Sequence, residues 1–163
     1  MNSVFTKNYF MATLVLCLVL TGNITSKGLN KFGIVDSKDV KYLAGAMTCE
    51  NGNNSDLCQL LTGSVILNRL NSDKWNGNTI EEVIMATDGG FIQYARTTRN
   101  NFKTVKSSKR TKLLAKYLLI FGGIAPENVV YQTKNKNAGS GVYWKEPTPN
   151  ESIKYEYFCY GPY

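Results

Sequence analysis

One acid stands where an apolar helical stripe should continue. Val40, Leu43, Ala44 and Met47 recur at the i, i+3, i+4, i+7 spacing of a single helix face, and Glu50 extends that line. A carboxyl at the end of an apolar face is partly desolvated, and the C-terminal end of a helix disfavours negative charge. Both effects favour the protonated form. A carboxylic acid that keeps its proton near neutral pH is what a glycosidic oxygen requires of a proton donor. Pattern alone leaves an alternative open, in which the helix frays a turn early and Glu50 is solvated.

Composition narrows the chemistry further. The 163 residues contain no His, which excludes a Ser-His-Asp triad, a Cys-His dyad and His-ligated zinc. Proton transfer near neutral pH therefore falls to a carboxylate, Tyr, Lys or Cys. Hydrophobic residues at 43% and charged residues at 19% suit one globular domain with its own core and argue against wholesale disorder. No metal and no cofactor is expected.

The positioning elements read as helices first and strands last, an α+β domain. Asp36-Ser37 offers an N-cap for a helix over about 38–50, stopped by Asn51-Gly52-Asn53-Asn54. Ser55 or Asp56 caps a second helix ending near Leu70, with Gln59 placed as in a capping box and Leu57, Leu60, Leu61, Ser64, Val65 and Asn68 on its buried side. Gly63 allows close helix contact. Thr79 caps a short helix from Ile80 to Ala86, residues 88–108 read as an irregular loop, and a fourth helix spans Ser108 to Phe121. The period then changes to two over Asn128–Gln132, Gly141–Trp144 and Lys154–Tyr160.

Other polar residues divide by position. Asp88, Glu146 and Glu156 are candidates for a second acid. Glu81 and Glu82 stand in a first helical turn, where acids are favoured anyway. Tyr94, Tyr131, Tyr143, Trp144 and Tyr157 supply flat rings with a polar edge, suited to pyranose faces. Asn68 and Arg69 fall at a helix end, where they can satisfy free carbonyls. The basic run Lys103, Lys106, Lys109, Arg110, Lys112 reads as a solvated face or a holder of anionic polymers; no nucleic-acid motif accompanies it.

Several motifs, in order, resemble the spore-cortex-lytic or cell wall hydrolase family (the SleB/CwlJ type). They are Leu43-Ala44, Cys49-Glu50-Asn51-Gly52, Val65-Ile66-Leu67-Asn68-Arg69, Asn78-Thr79-Ile80 with Val83-Ile84, Gln93-Tyr94, Asn128-Val129-Val130-Tyr131 and Tyr157-Phe158. Together they span about residues 40–160. The resemblance implies a lysozyme-like fold and cleavage of peptidoglycan glycan strands, as a lytic transglycosylase with Glu50 as its one acid. It also implies substrate contact by Gln93, beside Tyr94, Tyr131 and Trp144. Two positions depart from the family pattern: Asn54 stands where a second Glu is common, and Glu156 where the last strand usually carries His.

The N-terminus bears on compartment. Lys7 precedes the apolar run Tyr9–Leu20, too short for the roughly 20 residues of a membrane-spanning helix and suited to a signal-peptide core. The expected organisation is a signal peptide or anchor over 1–26, a linker over 27–37 and the catalytic domain over 38–163. Export, to the outside, the periplasm or the cell envelope, of bacterial or phage origin, leaves Cys49, Cys58 and Cys159. A Cys49–Cys58 bridge closes the shortest loop, with the odd thiol free or paired between chains. The net charge of +7 barely changes on loss of Lys7 and suits anionic wall polymers rather than DNA. Three readings follow: a peptidoglycan-cleaving glycosidase (transglycosylase, or lysozyme-type hydrolase), a catalytically silent wall-binding module on the same scaffold, and a small exported structural protein.

Overall fold

Helix α1 (Ser37–Asn51) starts where Asp36 accepts a hydrogen bond from the Lys38 N–H at 2.7 Å, satisfying one first-turn donor. It ends at Gly52, whose N–H returns to the Thr48 carbonyl. The computed structural model describes residues 35–75, 77–88, 91–92, 94–149 and 152–161. The signal segment, its cleavage sites, most of the 27–37 linker and Gln93 lie outside the described residues. Among the described residues no helix is long and apolar enough to cross a membrane.

Helix α2 (Asp56–Asn71) is capped by Ser55, whose Oγ accepts from the Cys58 N–H at 3.1 Å. The capping box expected of Asp56 and Gln59 does not form. Asp56 pairs with Arg110 instead, and Gln59 bonds the Asn54 carbonyl and the Thr111 hydroxyl. Next come α3 (Ile80–Met85), capped by Thr79, and the strand pair β1 (Thr87–Asp88) and β2 (Phe91–Ile92). Helix α4 (Ala95–Arg99) follows, so the expected irregular loop over 88–108 contains a strand pair and a helix. These elements are too short for periodicity to reveal. Helix α5 (Lys109–Phe121) is capped by Ser108 and stops at Gly122, where φ is +87°.

The chain closes with β3 (Val129–Thr133), β4 (Gly141–Pro147) and β5 (Tyr155–Tyr160), antiparallel in the order β3-β5-β4. The fold is therefore α+β, with helices followed by a small three-stranded sheet. One core cluster joins α1, α2, α3 and α5 through Leu43, Met47, Ile66, Ile84 and Leu118. A second, smaller one lies between α2 and the sheet and contains Cys58, Leu61, Val65, Val129 and Phe158.

Between these clusters α2 is enclosed, with Cys58, Gln59 and residues 61–69 all buried. Leu57, expected inside, is 38% exposed. A one-sided stripe is the wrong template for a helix packed against helices on one face and a sheet on the other. Gly63 permits the α1 and α5 contact: a Cβ there would stand 2.3 Å from Leu118 Cδ1 and 3.2 Å from Met47 Sδ. Gly45 is more constrained, because its Cβ would stand 2.0 Å from the Phe102 carbonyl oxygen.

That difference predicts an order of stabilities. Gly45→Ala meets backbone and is expected to cost about 2 kcal/mol or more, despite the roughly 1 kcal/mol advantage of Ala in a helix. Gly63→Ala meets only side-chain ends, which can shift, and costs less. Urea unfolding midpoints of the two variants check the order.

Candidate functional site

Glu50 is the penultimate residue of α1 and is half-buried. Its Oε1 accepts two hydrogen bonds from Thr97, one from the backbone N–H at 3.1 Å and one from Oγ1 at 2.6 Å. Thr97 is fully buried in α4. Its N–H belongs to a first helical turn, where donors have no partner within the helix. The α4 N-terminus therefore faces the acid, and its dipole opposes that of α1.

Two hollows share Glu50, Lys134 and Glu156 as common walls. The outer one, about 660 Å³, is also lined by Cys49, Asn54, Lys106, Ser108 and Thr148. The inner one, about 320 Å³, adds Arg69, Tyr94, Tyr131, Gln132, Thr133 and Ala138. Glu156 lies on the central strand β5, is 8% exposed, and accepts from Gln132 Nε2 at 3.1 Å. Of the candidate second acids whose side chains are described, Glu146 and Glu156, it is the one that lines the cleft with Glu50. Glu146 is engaged elsewhere, by Ser55 Oγ at 2.7 Å and Trp144 Nε1 at 2.8 Å. The Asp88 side chain lies outside the description. Glu81 pairs with Lys38 and Lys103, and Glu82 accepts from the Asn78 N–H.

The expected sugar-binding residues separate in space. Tyr94 and Tyr131 line the inner hollow, whereas Trp144 lines neither and is 45% exposed. Tyr143 packs edge-on against Tyr160, and Tyr157 lies against Tyr155. The basic run is divided too: Lys103 and Arg110 pair with Glu81 and Asp56, and Lys106 turns to the outer hollow.

Asn68 and Arg69 satisfy carbonyls, as read from the sequence, but those of the strand segment rather than the helix end. Asn68 Nδ2 donates to the Pro126 and Val129 carbonyls, at 2.7 and 2.9 Å, and Arg69 Nε donates to Val130 at 2.6 Å. The Arg69 guanidinium lies 4.3, 5.1 and 5.9 Å from the ring centres of Trp75, Tyr94 and Tyr131. Its place in the inner wall is one that sequence reasoning missed. Thr97 and Lys134 were missed as well, because each reaches the site through tertiary packing, whereas Lys106 was read as part of the basic run. Burial pushes the Tyr94 phenol up, with the Arg69 charge opposing and Glu50 adding.

Cys49 and Cys58 are not bridged; with Cys159 they stand as thiols. Cys49 packs against the helical core cluster, whereas Cys58 is buried in the cluster beneath the sheet, so the short sequence loop does not bring them together. Asn54 donates to Asn51 Oδ1 and to Cys58 Sγ, and Asn51 Nδ2 donates to Thr62 Oγ1 at 2.7 Å. The chain thus has an amide link fixing the end of α1 to α2.

Comparison of the chain with protein-family models, curated proteins and solved structures finds no match.

Two measurements follow. Arg69→Met leaves the Val130 carbonyl unpaired and removes the cation from three rings, which should cost about 2–3 kcal/mol. Arg69→Lys should recover less than half of that, because an ammonium cannot reproduce the fork; urea titration of both variants checks this. Separately, burial pushes the Cys58 thiol up to about 12, with the Asn54 donation opposing and Glu156 and Glu146 adding. The folded chain holds that proton while the unfolded thiol loses it near 9. Its contribution is therefore full below about pH 9 and is lost as pH rises towards 12. Stability measured across that window should fall, and less steeply in Cys58→Ala.

Proposed function

We propose that this protein cleaves the glycan strands of peptidoglycan, with Glu50 as the acid that protonates the glycosidic oxygen. The observation that carries the reading is the cleft itself. A carboxyl held on one oxygen by Thr97 lines two adjoining hollows, whose walls also include residues of strands β3 and β5. Helices on one side and a small sheet on the other suit the lysozyme-like arrangement that the cell wall hydrolase resemblance implies. Lys106 and Lys134 in the walls suit an anionic polymer such as the peptide-bearing glycan of a wall. An exported location accords with that substrate.

In the transglycosylase reading the Glu50 proton passes to the leaving oxygen as the bond from the muramic C1 breaks. The 6-hydroxyl of the same sugar then attacks C1 and returns its proton to Glu50, giving a 1,6-anhydro end. No second carboxylate is consumed. A specific feature favours a second reading: Glu156 shares both hollows with Glu50, as the partner acid of a lysozyme-type hydrolase would. Water then replaces the 6-hydroxyl, and the new end is reducing.

Digestion of purified peptidoglycan, with mass analysis of the fragments, tests both readings. Wild type is expected to release fragments ending in 1,6-anhydromuramic acid, and Glu50→Gln to lower the rate at least 100-fold. Reducing ends would instead establish the hydrolase. Intact glycan with retained binding to insoluble wall would establish a silent binding module and end the cleavage reading.

A further inference from the structure

Helix α5 is apolar on two sides. Its inner side, with Leu114, Ala115, Leu118 and Leu119, is buried in the helical core. Its outer side carries Leu113, Ile120 and Phe121, which are 66%, 38% and 40% exposed. Tyr117 beside them is half-buried, and its ring centre lies 5.0 Å from that of Phe121. At about 100° per residue these four side chains fall within a sector of roughly 100° around the helix. Lys109, Lys112 and Lys116 occupy the next sector, roughly 60° wide, along one edge of that stripe. All three lysines are exposed, and among the described residues none of them makes an ion pair. Scattered apolar residues on a surface need no explanation, but four in a row bordered by lysines do. None of the seven lines either hollow.

We propose that the outer side of α5 lies on an anionic lipid bilayer, with Leu113, Tyr117, Ile120 and Phe121 at the boundary of headgroups and acyl chains and the three lysines on the lipid phosphates. A helix of 13 residues is about 20 Å long, too short to span a bilayer and long enough to lie in its surface. Lysine stems cover apolar surface while their ammonium groups reach the headgroups. Charge selects this occupant over two others that could cover an apolar stripe. A second copy brings the same lysines, and a net charge of +7 against +7. The apolar run Tyr9–Leu20 brings no carboxylate to the lysines, since the first acid in the chain is Asp36. An anionic bilayer supplies an apolar layer and negative charge together. The surface uses no residue of the cleft and does not rest on the cleavage reading.

The test is hydroxyl-radical footprinting of the full chain, read residue by residue by mass analysis. It compares the chain in solution, on phosphatidylcholine vesicles, and on the same vesicles with about one-third phosphatidylglycerol at low salt. The anionic vesicles are expected to slow oxidation of Leu113, Tyr117 and Phe121 about fivefold or more, while the exposed Val142 and Trp144 of the sheet keep their solution rates. Neutral vesicles should give little of that protection. The triple substitution Lys109→Gln, Lys112→Gln, Lys116→Gln, at exposed positions whose folding an unchanged urea midpoint checks, should restore the solution rates on anionic vesicles. Because the footprint is read at α5 itself, attachment through Tyr9–Leu20 alone leaves these rates unchanged and overturns the proposal. Equal protection on neutral vesicles, or protection that survives the triple substitution, overturns it as well. Slow oxidation of the stripe without vesicles would assign it to another occupant: a second copy if the rate rises on dilution, the apolar run of the same chain if it does not.

Discussion

A helix buried along most of its length must find most of its polar partners within the protein, and α2 is such a helix. Its buried polar side chains tie it to the end of α1, to α5, to the segment after α5 and to β3. Thr62 bonds the Cys58 carbonyl and receives Asn51 from the end of α1. Ser64 accepts from the Ile124 N–H, beyond α5. Gln59 receives Thr111 from α5 itself. Asn68 and Arg69 hold the carbonyls of Pro126, Val129 and Val130, which fixes β3 and, through it, the sheet. The cleft is the space left between an α1 and a β5 that are each anchored to this common helix. Its geometry is set by hydrogen bonds that lie mostly outside it.

This explains what the sequence made legible. Caps at Asp36, Ser55 and Thr79 are local, because a side chain serves a backbone donor two or three residues on, and they lie where the pattern puts them. The three closing strands follow from a period of two, and the burial of α1 from its stripe. Glu50 is visible for the same reason, as a local break in a local rule. What failed depended on partners distant in sequence. Thr97 stands 47 residues from the acid it bonds, in a helix of five residues with no period to detect. Cys49 and Cys58 are close in sequence yet face different core clusters. Leu57 is exposed because α2 already meets neighbours on every other side.

Net charge proved a poor guide to the site for a related reason. The basic run before and within α5 reads as one patch, but Lys103 and Arg110 are neutralised by Glu81 and Asp56, exposed pairs worth little to stability. What reaches the cleft is Lys106, joined by Lys134 from the far end of β3. Two lysines and two carboxylates thus line one hollow, drawn from four segments of the chain. The field a substrate meets there is mixed in sign, suited to a ligand with both neutral and anionic parts.

The sheet carries a cost consistent with that use. Glu156 on β5 stands directly opposite Glu146 on β4, and like charges in that relation destabilise an antiparallel pair. Each carboxylate has its own donors, Gln132 for Glu156 and Ser55 with Trp144 for Glu146, so the pair is tolerated. A sheet selected for stability alone would place a β-branched or aromatic residue at position 156, in the middle strand and nearly buried. Proteins that break such rules do so mostly at functional sites. At Glu156 the broken rule coincides with the wall of the cleft that holds Glu50. The donor that makes the carboxylate tolerable, Gln132, itself stands in the wall of the inner hollow, with its other amide atom buried and without a partner.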